Sequence, residues 1–289
     1  MGAGTFTKKS FATYSVSLGR TYDDVTSYVS GQSFEAKRID ESMDPRKFTV
    51  RECVNTEEHP NTIPVILALD VTGSMGKACS ETAAAIGKIV MSLFERFKDV
   101  EFCIMGIGDL AYDMAPIQMS QFESDVRIAE AIDKVFMEHG GGGNAYESYT
   151  AAWYMGLHRT KLDCFDLQGR KGVIITMGDE PLNPYLPKNG LGISLNENCQ
   201  SDIETGALYE EASKKFDIFH IAIDDKDCMY QYYKDSIESS WGPLLGDRYK
   251  VSTINSLSAT IEQCVAESVG TRDVGTTAQM LNENGEISW

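Results

Sequence analysis

Three oxygen-bearing side chains follow an apolar run within residues 63–79, which read IPVILALDVTGSMGKAC. Asp70, Thr72 and Ser74 occupy alternate positions on the turn that leaves this run, so their oxygens can converge on one point. Carboxylate and hydroxyl oxygens suit a hard divalent cation such as Mg²⁺. The same residue types are favoured helix N-caps, and Gly73 is a turn residue. The turn alone therefore leaves helix capping and metal binding both open.

The order of the surrounding elements predicts where this turn lies. Apolar runs predict strands at 63–70, 100–109, 171–181, 216–224 and 248–254, with a short edge strand at 113–120. Helical periodicity predicts helices at 74–97, 123–137, 146–162, 201–216, 226–240 and 256–270, while 181–200 is predicted to be a loop. This alternation predicts an α/β fold with a doubly wound, mostly parallel, Rossmann-like sheet, one short antiparallel edge strand and helices on both faces.

Ligands of such sheets bind beyond the carboxyl ends of the strands. Asp70, Asp109 and Asp179 all fall at predicted strand ends, and the glycine-rich loop 140–143 can lie on the same rim. Asp179 can also simply close a turn with Gly178. The rim thus gathers acidic side chains without yet defining which of them are ligands.

The element order and the first turn resemble the von Willebrand factor A (VWA) domain over about residues 61–270. The hallmark of that family is a metal-ion-dependent adhesion site built from three loops at the top of the sheet. The first loop carries Asp-x-Ser/Thr-x-Ser, which Asp70, Thr72 and Ser74 match, and DVTGSMG is a common form of it.

The other two loops resemble a branch of the family that includes domains accompanying alpha-kinases and hemicentins. GGGGNAYES resembles its GGGDxPE loop, with Asn144 in place of the branch's Asp, and ITMGDEP resembles its third loop, with the acid at Asp179. Asn144 can equally cap helix 146–162. The resemblance implies metal ligation by Asp70, Thr72, Ser74, Asn144 and Asp179, and a second shell or rim formed by Asp109, Gly143 and Glu147.

The resemblance also implies a function. A Mg²⁺ ion, with Mn²⁺ or Ca²⁺ as substitutes, would keep an open coordination position for an Asp or Glu side chain of a protein partner. The chain would then be a non-enzymatic adaptor, and relatives of this kind serve assemblies built around AAA-type ATPases. Two alternatives stay open: a structural component that uses its N-terminal arm, and a metal-dependent hydrolase using Asp70 and Asp179. No general base with a supporting partner is evident for the hydrolase.

Composition narrows the possible partners and the expected location of the protein. The chain has 289 residues and a net charge of −17, which argues against nucleic acid or an anionic membrane as partner. Its seven cysteines form no CxxC pair, and no apolar stretch approaches the roughly 20 residues of a membrane span, so we expect reduced thiols and a cytoplasmic location. We expect residues 1–60 to form an N-terminal arm or a small β extension, in which FATYSVSL and KFTVREC are compatible with strands. Residues 61–270 should form the main domain, and residues 271–289 an irregular tail.

Overall fold

The computed structural model describes residues 4–17, 36–138, 143–144 and 146–277. The strands are β1 (Arg51–Cys53), β2 (Ile63–Asp70), β3 (Val100–Ile107), β4 (Ile117–Met119), β5 (Thr160–Leu162), β6 (Gly172–Gly178), β7 (Tyr185–Leu186), β8 (Ile203–Glu204), β9 (Phe216–Ile223) and β10 (Tyr249–Ser252). The α-helices are α1 (Lys8–Ser17), α2 (Gly76–Arg96), α3 (Arg127–Asp133), α4 (Ala151–His158), α5 (Asp163–Asp166), α6 (Lys188–Leu195), α7 (Thr205–Lys215), α8 (Tyr230–Leu245) and α9 (Leu257–Thr277).

The central sheet has six strands in the order β10-β9-β6-β2-β3-β4. The first five strands in this order pair in parallel, and β4 pairs antiparallel with β3 at the edge. The predicted α/β fold class is therefore confirmed. From β2 the chain first builds outward through β3 and β4 and later returns to the other side of β2 with β6. The carboxyl end of β2 is thus the point where the winding direction reverses, which is where such sheets bind ligands.

Helices cover both faces of this sheet, and every residue of β2, β3, β6 and β9 is buried. One apolar cluster packs α2, α3 and α9 against the sheet, and the other packs α4, α7 and α8 against the opposite face. Continuous apolar runs such as IPVILALD fit strands that are covered on both sides.

Several element boundaries differ from the sequence-based predictions. The predicted helix 146–162 is shorter, because α4 ends at His158 and β5 follows it, pairing in parallel with β1. The predicted helix 123–137 contains only the seven residues of α3, and the predicted loop 181–200 contains β7 and α6. Helix α9 continues to Thr277, although the tail was expected to be irregular from residue 271.

The described part of the N-terminal arm is helical and packs on the main domain. FATYSVSL was compatible with a strand, but residues 8–17 form α1, which begins with reciprocal hydrogen bonds between Thr7 and Ser10. Phe11 of α1 is buried, and the ring of Phe6 stacks on Phe94 with the centroids 5.0 Å apart. KFTVREC does contain a strand, β1.

Two bulk expectations can be compared with the structure. All seven cysteines are free thiols, and five of them are buried. Within the described ranges, no helix combines the length and the apolar character that a membrane crossing needs.

Candidate metal centre

A continuous chain of hydrogen bonds joins the first loop to the third loop at the carboxyl ends of β2 and β6. The hydroxyl of Thr72 donates to Asp70 Oδ1 at 2.6 Å, and Thr72 Oγ1 lies 3.0 Å from Ser74 Oγ. The Ser74 hydroxyl in turn donates to Asp179 Oδ1 at 3.2 Å. The structure therefore brings together four of the five residues that the resemblance implied as metal ligands.

The spacing of these oxygens fits a small divalent cation. Mg²⁺ binds six oxygens at about 2.0–2.1 Å, and neighbouring ligands of such an octahedron lie about 3 Å apart. The two distances at Ser74 Oγ, 3.0 Å to Thr72 Oγ1 and 3.2 Å to Asp179 Oδ1, are those of octahedral edges. In the described part of the chain, no group of three or more His, Cys, Asp or Glu side chains is arranged to hold a metal ion. The donor set here differs from such a group because half of it consists of hydroxyls.

Tyr149 fixes the orientation of the first carboxylate. Its hydroxyl donates to Asp70 Oδ2 at 2.5 Å, while Oδ1 accepts from the backbone N–H and the hydroxyl of Thr72. Tyr149 can reach this position only because residue 178 is glycine, since a Cβ there would lie 2.1 Å from the tyrosine oxygen. Gly178 is thus required for a close approach rather than for flexibility.

The second carboxylate is fixed from the opposite side by the segment that precedes α8. The backbone N–H of Met229 donates to Asp179 Oδ2 at 2.6 Å, so Oδ1 is left to face Ser74. The same segment touches the first loop at Gly76, which has φ +50° and where a Cβ would lie 2.7 Å from the carbonyl oxygen of Asp227. The turn 225–229 therefore contacts both the first and the third loop.

The surroundings of the two carboxyl groups disfavour their charged forms. Burial, and then the nearby Asp179 carboxylate, raise the pKa of Asp70 to about 7, against the opposing effect of its bonds to Thr72 and Tyr149. Burial also raises the pKa of Asp179, although the Met229 N–H and the Ser74 hydroxyl act in the opposite direction. A divalent cation held by these residues would offset this repulsion.

Glu180 is a member of this site that the sequence reasoning missed. Burial, and then Asp70 and Asp179, raise its pKa to about 8, while a hydrogen bond with Ser74 acts in the opposite direction. Its Oε2 atom is buried without a hydrogen-bond partner among the described residues, and its carbonyl accepts from the Trp241 indole N–H at 3.2 Å. The available signal was its position directly after Asp179, in the acidic turn MGDEP.

The remaining predicted residues lie on the second loop and beside it. Asn144 and Gly143 are exposed, and Asn144 lines a pocket together with Asp109 and Glu147. Asn144 is therefore not part of the hydrogen-bonded series that links Asp70, Thr72, Ser74 and Asp179, and its role as a metal ligand stays a prediction. Burial, and then Asp70 and Glu180, raise the pKa of Glu147 to about 11, which is the behaviour expected of a buried acid at the rim of this site.

Comparisons with known proteins add the following. No family model matches this chain, and no curated protein matches it. Among solved structures, the chain is similar to the pilus adhesin SpaC from Lactobacillus rhamnosus GG in its open conformation, with 12% identity and a TM-score of 0.48 over 74% of this chain and 31% of that one. It is also similar to proximal thread matrix protein 1 from the mussel byssus, with 12% identity and a TM-score of 0.45 over 78% of this chain and 47% of that one. The chain thus spans about a third of the adhesin and about half of the thread protein. The likeness concerns the fold alone.

Proposed function

We propose that this chain is a metal-dependent protein-interaction module of the VWA type, acting as a cytoplasmic adaptor. Asp70, Thr72, Ser74 and Asp179 would hold a Mg²⁺ ion, or Mn²⁺ or Ca²⁺ in its place. When bound, the cation supplies a positive coordination position that an Asp or Glu side chain of a protein partner can occupy. The protein's own residues set the geometry of that position and the charge around it.

The observation that carries this proposal is the hydrogen-bonded chain across two loops. Thr72 Oγ1, Ser74 Oγ and Asp179 Oδ1 come from the ends of two neighbouring parallel strands and are spaced like adjacent ligands of one small cation. Helix capping, the alternative for the first loop, is not supported: the short 3₁₀ turn Gly73–Met75 begins after Thr72 without a side-chain cap. The hydroxyls instead bond carboxylates.

Partial exposure supports binding of a partner at this point. Asp70, Thr72 and Asp179 are buried. Ser74 is partly exposed and is the one of these four hydrogen-bonded residues that solvent can reach. Glu180 also bonds Ser74, so a partner's acid that approached Ser74 would meet this side chain.

The two alternatives receive less support. A hydrolase needs a general base that a supporting partner orients. Glu180 is the acid beside the site, but its Oε2 atom has no hydrogen-bond partner among the described residues, and His220 is fully buried and stacks on Trp241 with the ring centroids 3.7 Å apart. The scaffold reading uses the N-terminal arm as an assembly contact, whereas Phe6 and Phe11 pack on the chain's own core.

The proposal is tested by the water-proton relaxation of protein-bound Mn²⁺. A bound Mn²⁺ ion that keeps an exchangeable water enhances relaxation, and a carboxylate that takes this position lowers the enhancement. We expect the wild-type protein to bind Mn²⁺ in competition with Mg²⁺, and an acetylated glutamate amide to reduce the enhancement. Asp70→Ala should abolish both effects.

Asp235→Asn is the matched control, because Asp235 is an exposed acid on α8 and should leave both effects unchanged. Equal Mn²⁺ binding by the wild type and Asp70→Ala would refute the assigned site. Binding of Mn²⁺ without any effect of the carboxylate would leave a cation site but would contradict the role in partner recognition. Turnover of a phosphate ester by the loaded wild type, lost in Asp70→Ala, would favour the hydrolase.

A further inference from the structure

A groove with apolar walls begins beside the candidate metal centre and runs along the rim of the sheet. It consists of an inner pocket of about 240 Å³ and an outer pocket of about 140 Å³, and Tyr112 lines both of them. The inner pocket is lined by Glu147, which is near enough to Asp70 for that carboxylate, after burial, to raise its pKa. The outer pocket extends from Tyr112 to Met114 and Ile193. The groove is therefore continuous with the point where a partner's acid is proposed to bind.

The walls of the outer pocket are held in place. The loop that follows β3 is anchored where the Met114 N–H donates to Glu138 Oε1 at 3.0 Å. Helix α6 lies directly against this loop, because a Cβ at Gly190 would overlap the carbonyl oxygen of Leu110. The exposed side chains of this pocket thus project from a backbone that is itself bonded and packed.

Large apolar side chains of the groove are in contact with solvent. Met114 is 84% exposed and Ile193 is 76% exposed, and both line the outer pocket. Tyr112, Tyr146 and Tyr185 line the inner pocket and are exposed as well. Single apolar side chains scattered over a surface are ordinary, whereas a group of them around one groove marks an interaction site.

The charge of the groove disfavours a partner with a run of acids. Among the described residues, Arg46 is the one basic side chain that lines either pocket, and it already forms two hydrogen bonds with the Asp44 carboxylate. Asp109, Asp113 and Glu147 also line the groove. Several neighbouring acids of a partner would therefore meet acidic groups and no unpaired base, which weakens binding. The proposed cation thus remains the position that attracts an acid.

We infer that this groove binds an extended segment of a protein partner in which a single acid is accompanied by large apolar side chains. The acid occupies the open position of the cation, and an aromatic or large aliphatic side chain occupies the outer pocket beside Met114 and Ile193. A cavity of about 150 Å³ holds one benzene ring, so the outer pocket of about 140 Å³ suits one aromatic side chain. The inference rests on the proposed function for the acid and adds the apolar part of the partner.

The first test selects displayed random peptides on the full chain in Mg²⁺. The peptides are about eight residues long and span roughly 27 Å when extended. We expect the enriched sequences to combine one acid with at least one aromatic or large aliphatic residue. Enrichment of tracts with several acids, enrichment without any large apolar residue, or no enrichment at all would overturn the inference.

The second test measures the affinity of the most enriched peptide for surface variants. Met114→Ser and Ile193→Ser should each weaken it about three- to tenfold in Mg²⁺, because each removes apolar area that the peptide covers. Leu167→Ser is the matched control, since Leu167 is 73% exposed, precedes the amino end of β6 and lines neither pocket. Unchanged affinity in both groove variants would overturn the inference.

A comparison of Mg²⁺ with EDTA separates this inference from the proposed function. A peptide that binds equally in both, and is weakened by Ile193→Ser, would contradict the metal-dependent function while supporting the apolar docking inferred for the groove. A peptide that requires Mg²⁺ but binds Ile193→Ser and Met114→Ser like the wild type would support the metal-dependent function and overturn the role of the groove.

Discussion

The Asp179 carboxylate should destabilise the cation-free protein and yet be needed to bind the cation. Asp179→Asn separates these two effects because it removes charge and keeps shape. The new amide oxygen can accept from the Met229 N–H, and the new amide N–H₂ can donate to the hydroxyl of Ser74. We therefore expect the variant to be more stable than the wild type in EDTA and to lose the stabilisation that Mg²⁺ gives.

The magnitude follows from the pKa of Asp70. Burial, followed by Asp179, raises that pKa to about 7 from 3.8. Because the folded-state value is the higher one, the stability linked to this group is complete below pH about 4 and is lost as the pH rises through 7. At pH 8 the whole loss is about 4 kcal/mol, and the Asp179 carboxylate contributes to it after burial, on the order of 1 to 2 kcal/mol. The variant should thus unfold about 2 to 6 °C higher than the wild type at pH 8 in EDTA.

Thermal unfolding followed by circular dichroism measures both effects. Mg²⁺ at 100 times its Kd should stabilise the wild type by about 2.7 kcal/mol, and it should leave Asp179→Asn almost unchanged. At pH 5 the advantage of the variant in EDTA should shrink, because Asp70 is then mostly protonated in the folded wild type. Asp235→Asn, at an exposed site, should follow the wild type throughout. A variant less stable than the wild type in EDTA, or equally stabilised by Mg²⁺, would refute this reasoning.

Two further predictions concern the sheet and the approach to the site. Burial raises the pKa of Glu101 on β3 to about 7 from 4.5, so its stability contribution is complete below pH about 4.5 and is lost towards pH 7 and above. Glu101→Gln should therefore raise the free energy of unfolding by at most about 3 kcal/mol at pH 8 and change it little at pH 4.5. Denaturant titrations at the two pH values measure this, and an equal effect of the substitution at both would contradict the prediction. Gly178→Ala should abolish Mg²⁺-dependent stabilisation, because its Cβ would meet the hydroxyl of Tyr149 at 2.1 Å. Gly206→Ala on α7, where a Cβ meets nothing within 4 Å, should keep that stabilisation and slightly raise thermal stability.

The sequence was informative about this fold wherever burial was complete. Strands covered on both faces must be continuously apolar, so the run 63–70 and its parallel neighbours could be located, and Asp70 had to lie at a strand end. Short elements were not predictable in the same way. β5 is three residues long and exists because Thr160 and Leu162 lie beside β1, a pairing between segments more than 100 residues apart. Helix α1 did carry a local signal, the Thr7 and Ser10 cap, that the alternating pattern concealed.

The candidate site, too, has parts that local sequence predicts and parts that depend on long-range packing. Asp70, Thr72 and Ser74 follow one another along the chain, so their meeting could be inferred from spacing alone. The contributions of Tyr149 and Glu180 depend on how separate loops pack, and spacing carries no information about that. A polar atom's lack of a partner, as at Glu180 Oε2, is also visible only once the neighbours are in place.

The contact between the Trp241 indole and the carbonyl of Glu180 gives the protein an internal optical probe. Trp241 is fully buried and stacks on His220, with Trp153 edge-on at 6.1 Å. Movement of the third loop at Glu180 should alter the environment of this ring and thus the wavelength and intensity of its share of the emission from the three tryptophans. Events at the top of the sheet can therefore be timed by stopped-flow spectroscopy on the unlabelled chain, in millisecond steps and without any engineered dye.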